Sequence, residues 1–335
     1  MLPFLNRVLA RENLSSGEAY QAMSTLLEGA TGDASIAAFL VALKMKGETA
    51  DELAGFARAM RDRMLRVDAG DDVIDTCGTG GDGPNTFNIS TVAALVMAGA
   101  GARIAKHGNR SISSRCGSAD VFEALGVRIT LSPEEAARAI REIGIGFVFA
   151  PHLHPAMKIV QPVRRELKMR TVFNLLGPLV NPAGARTQLI GAPSAAAGQL
   201  MAAALARLGA RRAFVVHGRD GLDEVTTTTE TDVWEVRGEE VAKKVWSPED
   251  FGVARTTLSE LAGGDAAYNA NIVKEILDGE PGPRRDIVLV NAAAGLVAGA
   301  LASDLLEGKR RAAEAIDSGA AKAKLTLLQK NFPHL

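Results

Sequence analysis

The sequence contains few cysteines and almost no net charge, and both scarcities exclude whole classes of protein. Its 335 residues include two cysteines, Cys77 and Cys116, which are too few for a disulfide framework. We therefore expect a cytoplasmic protein whose two thiols are free and structural. The formal net charge is -1, which argues against a protein that binds nucleic acid through a basic surface.

Long apolar runs are also missing. The most apolar stretch, residues 292–302, is rich in alanine and glycine and is too short to cross a bilayer. Residues 1–15 show no long apolar core and no small-residue cleavage site, so we expect no secretory signal and no membrane partner. With 47% hydrophobic residues, the chain can bury a large core in one large domain or two smaller ones.

The first 70 residues have apolar side chains at helical spacing and contain no run typical of a strand. Ser15 or Ser16, followed by Glu18, is a candidate helix cap. We predict a small all-helical domain over residues 1–70, joined by part of 155–182. We assign no catalytic role to this helical domain.

From residue 71 to 335, short apolar runs alternate with helical segments, which predicts an α/β catalytic domain with a mostly parallel sheet flanked by helices. Ser132 followed by Pro133 indicates a helix start. The predicted strands cover residues 73–75, 103–106, 146–149, 187–190, 213–217 and 287–291. Ligands bind at the carboxyl ends of the strands in such sheets, so polar segments that follow strands should meet there.

One such segment, residues 75–91, reads DTCGTGGDGPNTFNIST. It predicts a strand, a glycine-rich turn and a helix beginning near Ser90 or Thr91. The glycines permit close backbone approach to a ligand, and the N–H groups of a helix start favour an anion. Asp82 would repel a bare phosphate, a conflict that a divalent cation or a ribose hydroxyl resolves. The spacing matches neither the P-loop nor the dinucleotide fingerprint, so a tight structural turn remains the alternative.

A second segment, residues 106–120, reads KHGNRSISSRCGSAD and follows another predicted strand. Its Lys and Arg side chains supply positive charge, while Asn, Ser and Gly supply donors and backbone access. These groups suit a phosphate or pyrophosphate. A solvated polar loop is the alternative. Because both segments follow strands, we favour a common binding site.

Two further groups raise the question of a metal ion. Asp223 and Glu224 follow the predicted strand at 213–217, and a divalent cation would remove their mutual repulsion. Mg²⁺ prefers such oxygen ligands together with substrate phosphates, although two solvated turn acids remain the alternative. His152 and His154 also have suitable spacing, but we reject a metal site there because no third ligand is evident.

These segments resemble the two signature loops of the anthranilate phosphoribosyltransferase family. Further matches are HPAMK at 154–158, PVRREL at 162–167, RTVFNLLGPLVNPA at 170–183 and VVHGRDGLDE at 215–224. The resemblance covers nearly the whole chain in order. It implies a fold of the nucleoside phosphorylase / phosphoribosyltransferase type. The implied activity transfers the 5-phosphoribosyl group of 5-phosphoribosyl 1-pyrophosphate to the amine of anthranilate, the second step of tryptophan biosynthesis.

The resemblance also implies roles for individual residues. It implies two Mg²⁺ ions per monomer, one held by Asp223 and Glu224 and the other by Ser90 and Glu224. The implied anthranilate-binding residues are Gly78, Asn109 and Arg164. An Arg fork at 164 agrees with a planar carboxylate. The implied donor-binding residues are Gly78, Gly81, Asp82, Thr86, Asn88, Ile89, Ser90, Thr91, Lys106, His107, Gly108, Asn109, Arg110, Ser111, Ile112, Ser113, Ser114 and Ser118.

The resemblance also implies features of the mechanism, the assembly and the surroundings of the acceptor. No general base is named, because departure of pyrophosphate should run ahead of attack by the weakly nucleophilic amine. The family implies a homodimer, with the helical domain as the candidate interface, and implies that His154 lies near the acceptor. Lys168 stands where the family usually has glycine. That difference leaves the local turn, and with it the pose of Arg164, undetermined.

Three alternative functions stay open. A pyrimidine nucleoside phosphorylase would share the fold class, but the Asp223–Glu224 pair and the Arg164 segment argue against it. Relatives recruited to bind nucleic acid should lose the acceptor residues and gain a basic groove. A phosphoribosyltransferase that acts on another aromatic acid is the alternative that the sequence separates least well.

Overall fold

The computed structural model describes residues 1–80, 85–111 and 115–334. Five of the predicted donor-binding residues lie outside these ranges: Gly81, Asp82, Ile112, Ser113 and Ser114. Over the described ranges, no helix is both long and apolar enough to cross a membrane. Four helices come first along the chain, and a seven-stranded sheet with flanking helices follows.

The strands are β1 (Val73–Gly78), β2 (Arg103–Gly108), β3 (Ile145–Phe149), β4 (Thr187–Gly191), β5 (Arg212–Gly218), β6 (Thr231–Arg237) and β7 (Glu240–Trp246). The helices are α1 (Leu2–Leu9), α2 (Ser16–Leu27), α3 (Asp33–Lys46), α4 (Ala50–Arg61), α5 (Ile89–Gly99), α6 (Ser118–Ala124), α7 (Pro133–Arg138), α8 (Ala150–Leu153), α9 (Met157–Leu167), α10 (Phe173–Leu176), α11 (Ala195–Arg207), α12 (Ala266–Leu277), α13 (Pro283–Ala298), α14 (Leu305–Asp317) and α15 (Ala320–Asn331).

The N-terminal helices begin where the cap residues predict. Ser15 caps α2, since its Oγ accepts from the N–H of Glu18 at 3.3 Å and the Glu18 carboxylate accepts from the N–H of Ser15 at 2.8 Å. This reciprocal pair satisfies two N–H groups that a helix start otherwise leaves unpaired. Of the two candidate caps Ser15 and Ser16, Ser15 is therefore the cap, and the predicted helix start at Ser132 is confirmed as well.

The hydrophobic core of the helical domain continues beyond residue 70. Helix α9 packs against α2 and α3, and its Val160 and Val163 are buried with the N-terminal helices. The same cluster of buried side chains reaches Ile190, Val215 and Trp234 on one face of the sheet. The boundary between residues 70 and 71 stays a prediction.

The sheet has the strand order β3-β2-β1-β4-β5-β6-β7, and its first five strands are parallel. Five of the six predicted strands are confirmed, each within three residues at its ends. The prediction of a strand at 287–291 is wrong, because these residues lie inside α13. The run Ile-Val-Leu-Val is buried in this helix, and periodicity does not separate a fully buried helix from a buried strand.

Strands β6 and β7 form an antiparallel hairpin that the sequence reading missed. The two strands contain β-branched and aromatic residues and are separated by two residues, Gly238 and Glu239, with Gly238 at a φ of +59°. Two short runs of this composition joined by a glycine-containing pair are a usual sign of a hairpin. The sheet is therefore mixed rather than wholly parallel.

The position of β1 determines where a ligand can bind. In the strand order, β1 lies between β2 on one side and β4 on the other, and the final residues Gly78 and Gly191 are paired. The strand order runs from β1 to β2 and β3 on one side and to β4 and β5 on the other. Such a reversal of strand order opens a crevice at the carboxyl edge of the sheet.

Candidate active site

A cavity of about 970 Å³ lies at this crevice, between the carboxyl ends of the strands and helix α9. Its volume falls at the upper end of the range typical of small-molecule sites. The predicted site residues that line it are Gly78, Thr86, Asn88, Ile89, Ser90, Lys106, His107, Gly108, Asn109, Arg110, Ser111, Ser118, Arg164, Asp223 and Glu224. Thr91 does not line the cavity, because it is fully buried in the first turn of α5. The polar segments after separate strands thus meet at one edge of the sheet, as predicted.

The carboxylates of Asp223 and Glu224 are each tied to the glycine-rich segment. Asp223 Oδ2 accepts a hydrogen bond from the N–H of Gly80 at 2.9 Å. Glu224 Oε1 accepts from the N–H of Ser90 at 3.2 Å, at the start of α5. The helix N-terminus that was expected to favour an anion therefore holds one of the protein's own carboxylates.

Burial of Asp223 disfavours its charged form. The side chain is 6% exposed, and desolvation raises its pKa, against the opposing effect of the Gly80 hydrogen bond. A cation beside the two carboxylates would offset this desolvation cost. In the described part of the chain, no group of three or more His, Cys, Asp or Glu side chains forms a metal site. Two carboxylates and the Ser90 hydroxyl fit Mg²⁺, which completes its shell with water and substrate oxygens.

Two glycines let the carboxylate pair approach the sheet. A Cβ atom at Gly191 would lie 1.6 Å from the backbone oxygen of Asp223. A Cβ at Gly78 would lie 2.3 Å from Asp223 Oδ2. The ends of β1 and β4 therefore have no room for any side chain, and the segment that carries Asp223 passes directly over them.

Lys106 extends from β2 beneath the glycine-rich segment. It is 2% exposed, and its ammonium donates to the carbonyl of Thr76 at 2.6 Å and to Ser90 Oγ at 3.4 Å. The cation is thus fixed within reach of the cavity. Arg110, also predicted to bind the donor, is held by Glu123, whose Oε1 lies 2.8 Å from its Nη2.

Two histidines form part of the wall in an uncharged state. The ring centroids of His107 and His154 are 5.4 Å apart. Burial lowers the pKa of His107 to about 3 and that of His154 to about 4. Both Nε2 atoms are buried and have no hydrogen-bond partner among the described residues. His152 is exposed, so the two histidines of the His-Leu-His segment do not share a site.

Arg164 projects from α9 with no counter-charge. Its guanidinium lies 5.1 Å from the centre of the Phe173 ring, and burial lowers its pKa. Among the described residues, no carboxylate forms an ion pair with it. A half-buried guanidinium without a partner is suited to a planar anionic group of a ligand.

The sequence left the conformation of the turn after Arg164 undetermined, because Lys168 stands where glycine is usual. This turn adopts the conformation that glycine favours. Lys168 ends α9 at φ 49° and ψ 30°, in the left-handed region. For a residue with a Cβ this region is strained. The chain nevertheless leaves α9 here, four residues beyond Arg164, so the departure from glycine leaves the helix end intact.

We expect Lys168→Gly to stabilise the protein. Relief of the left-handed strain outweighs the added freedom of the unfolded chain, which gives a gain of about 0.5–1 kcal/mol in the free energy of unfolding. Urea denaturation measures this gain. Ala300→Gly, at φ 56° and far from the cavity, is the control and should show a similar gain. A loss of stability at residue 168 alone would mean that the lysine side chain has a stabilising contact.

The sequence reading assigned no chemistry to residues beyond 234, yet some of them line the cavity. Gly263, Gly264 and Asn269 form part of its wall. Asn269 Nδ2 donates to Asn88 Oδ1 at 2.9 Å, and Asn269 Oδ1 accepts from the N–H of Gly264 at 2.8 Å. The two adjacent glycines were the only local sign that this segment lines the cavity. Nothing in their sequence context indicated which strand end they would face.

The two cysteines also border the cavity, and neither forms a disulfide bond. Burial raises the pKa of the Cys77 thiol well above its usual value and raises that of Cys116 to about 11. Neither is a thiolate at neutral pH, and the thiolate is the reactive form. This agrees with the structural role predicted for both.

Comparison with known proteins covers both parts of the chain. Residues 2–64 match the model of the glycosyl transferase family, helical bundle domain, and residues 70–322 match that of the glycosyl transferase family, a/b domain. The anthranilate phosphoribosyltransferase of Solibacter usitatus is 58% identical over 331 residues, or 98% of this chain and 97% of the relative.

Solved structures of similar proteins agree. The anthranilate phosphoribosyltransferase of Thermus thermophilus superposes with a TM-score of 0.93 at 43% identity, over 98% of both chains. That of Saccharomyces cerevisiae, in complex with PRPP and Mg, gives a TM-score of 0.90 at 30% identity, over 98% of this chain and 97% of the other.

Proposed function

The chain belongs to the anthranilate phosphoribosyltransferase family, and on that premise we propose how its cavity transfers the 5-phosphoribosyl group of 5-phosphoribosyl 1-pyrophosphate to anthranilate. One observation carries the proposal. A buried carboxylate pair, a fixed ammonium group and an unpaired guanidinium all line a single cavity, formed by segments that follow different strands. These three groups match a cation, a polyphosphate and an aromatic acid.

The donor is proposed to lie across the two polar segments. Ser90 at the start of α5 and Lys106 on β2 lie side by side, and they face the carboxylates of Asp223 and Glu224. We propose two Mg²⁺ ions here, one held by Asp223 and Glu224 and the other by Ser90 and Glu224. When bound, the cations neutralise the pyrophosphate leaving group. The Saccharomyces cerevisiae relative in complex with PRPP and Mg supports this use of Mg²⁺.

Anthranilate is proposed to bind on the α9 side of the cavity. The Arg164 guanidinium presents parallel N–H groups that match the acceptor's carboxylate, and Asn109 and Gly78 line the same cavity. The Saccharomyces cerevisiae relative in complex with 4-fluoroanthranilate supports an aromatic acid as the ligand class. The acceptor amine would then face the anomeric carbon of the donor.

The histidines support a mechanism without a strong base. With pKa values of about 3 and about 4, His107 and His154 are weak proton acceptors at neutral pH. Their neutral rings add no charge to a site that already contains Lys106 and Arg164. The residues of the chain therefore act by orienting the two substrates and by stabilising the departing pyrophosphate.

The test is direct. We would mix the purified protein with anthranilate, the phosphoribosyl donor and Mg²⁺, and follow the loss of anthranilate fluorescence. Mg²⁺-dependent loss is the expected result. Donor binding without fluorescence loss would point to a different aromatic acceptor, and failure to bind either substrate would overturn the proposal.

Arg164→Ala should weaken anthranilate binding selectively. Loss of a bidentate bond to a carboxylate costs roughly 2–3 kcal/mol, so we expect KM for anthranilate to rise about 30- to 150-fold while KM for the donor stays the same. Arg138→Ala is the matched control. Its guanidinium also lies over a phenylalanine ring, Phe332 at 5.2 Å, but it does not line the cavity. Equal effects of the two variants would contradict an acceptor-binding role for Arg164.

Two finer features are also proposed. We propose a homodimer through the helical domain, whose Leu2, Leu9 and Met45 side chains are at least 63% exposed. Light scattering after size-exclusion chromatography would show a monomer if this is wrong.

We propose a cytoplasmic location because neither cysteine forms a disulfide bond, as is usual in a reducing compartment. Fractionation of cells that express the protein would test it.

A further inference from the structure

Asn291 in the middle of α13 makes three hydrogen bonds from a fully buried side chain. Its Oδ1 accepts from the N–H of Val225 at 2.9 Å, and its Nδ2 donates to the carbonyl of Val225 at 2.8 Å. Nδ2 also donates to the carbonyl of Ile287 one turn earlier in the helix, at 2.8 Å. One amide group therefore satisfies both backbone groups of Val225.

Val225 directly follows the carboxylate pair. It is 1% exposed, so water cannot replace the amide at its N–H and carbonyl groups. On the other side of the pair, Asp223 accepts from the N–H of Gly80 and Glu224 accepts from that of Ser90. The pair is thus held on one side by the N–H groups of Gly80 and Ser90 and on the other side by Asn291 of α13.

We propose that Asn291 is a positioning residue for the divalent-cation site. By fixing the backbone next to Glu224, it holds the carboxylates in the geometry that the cation requires. This inference rests on the proposed function of Asp223 and Glu224. Mg²⁺ requires near-octahedral geometry at short distances, so a small displacement of one carboxylate weakens its binding. Asn291 itself touches neither cation nor substrate, since it does not line the cavity.

The rest of the segment between residues 218 and 231 has hydrogen bonds of its own, so loss of the Asn291 amide should act only on the backbone near Val225. Thr226 Oγ1 donates to Asp220 Oδ2 at 2.5 Å, and the N–H of Thr226 donates to Thr231 Oγ1 at 3.1 Å. The N–H of Gly218 donates to the carbonyl of Leu222 at 2.9 Å. None of these bonds involves α13. The turn can therefore form without the Asn291 amide, while the backbone at Val225 loses its alignment.

The test measures the dependence on Mg²⁺ in Asn291→Leu, which keeps the approximate size of the side chain and removes its hydrogen bonds. Titration calorimetry of 5-phosphoribosyl 1-pyrophosphate at a series of Mg²⁺ concentrations gives the half-saturating Mg²⁺ concentration without catalysis. We expect it to rise at least 10-fold. At saturating Mg²⁺, kcat should return to within about 3-fold of the unsubstituted protein, because the substrate-binding groups are unchanged.

Val290→Ala is the matched control, because Val290 is also fully buried in α13 and its truncation weakens the packing of the helix without removing a hydrogen bond to Val225. It should leave the half-saturating Mg²⁺ concentration unchanged. Asn291→Ser, which keeps a polar group, replaces the leucine variant if that variant does not fold. An unchanged half-saturating concentration in a folded Asn291 variant overturns the positioning role alone. Absence of Mg²⁺-dependent donor binding in the unsubstituted protein overturns both this role and the proposed function.

Discussion

The double variant Asp223→Asn/Glu224→Gln should lose at least ~10³-fold in kcat/KM while remaining folded. Both carboxylates line the cavity, and each accepts a backbone hydrogen bond that an amide oxygen can also accept. The substitution therefore removes charge but preserves shape. Without that charge, the cations that neutralise the pyrophosphate lose their anionic ligands on the protein. Fluorescence assays over a range of Mg²⁺ concentrations measure the loss.

Stability should respond in the opposite direction to activity. Burial raises the pKa of Asp223, which means that its charged form is destabilised in the folded protein. The unfolding temperature of the double variant without Mg²⁺ should therefore equal or exceed that of the unsubstituted protein. The control is Glu134→Gln/Glu135→Gln, an adjacent acidic pair at the start of α7 that does not line the cavity. Activity loss in this control, or retained Mg²⁺-dependent activity in the first variant, would contradict the assignment.

Gly191→Ala should cause the largest loss of stability at the site. The added Cβ would lie 1.6 Å from the backbone oxygen of Asp223, a contact that requires one of the two backbones to move. Such overpacking costs about 3 kcal/mol or more, and the unfolding temperature should fall by roughly 4 °C or more. Because Asp223 is displaced, the half-saturating Mg²⁺ concentration should rise as well. Differential scanning calorimetry and Mg²⁺ titration measure the two effects.

Gly17→Ala provides the matched comparison for the same chemical change. Gly17 lies in α2, and a Cβ there would meet nothing within 4 Å. Alanine favours the helix over glycine by up to about 1 kcal/mol, so this variant should be slightly more stable. If both variants unfolded at the same temperature, the close approach of Asp223 to the end of β4 would not be a constraint on the protein.

The parts of the site that follow strands were predictable from the sequence. Glycine-rich, basic and acidic segments after short apolar runs indicated a common edge, and the structure brings Ser90, Lys106, Asp223 and Glu224 together there. The prediction depended on local composition and on a general property of parallel sheets. Both are visible in one sequence.

The parts contributed by distant segments were not predictable. Asn269 and Asn291 are single amides in helices, and their bonds to Asn88 and Val225 span 181 and 66 residues. No local pattern distinguishes such an amide from one that faces solvent. The strand at 287–291 was also wrongly predicted because the local pattern was not informative. β-branched residues in a helix that is buried all round lack amphipathic periodicity.

The core shared by the N-terminal helices and the sheet has a consequence for the order of folding. Helices α1 to α4 emerge first during synthesis, but they pack against Val160 and Val163 of α9 and share a core with Ile190 and Trp234. Until residue 236 is available, the first helices therefore retain an uncovered apolar surface. A nascent chain that stalls before β6 is complete exposes this surface and is a natural substrate for chaperones.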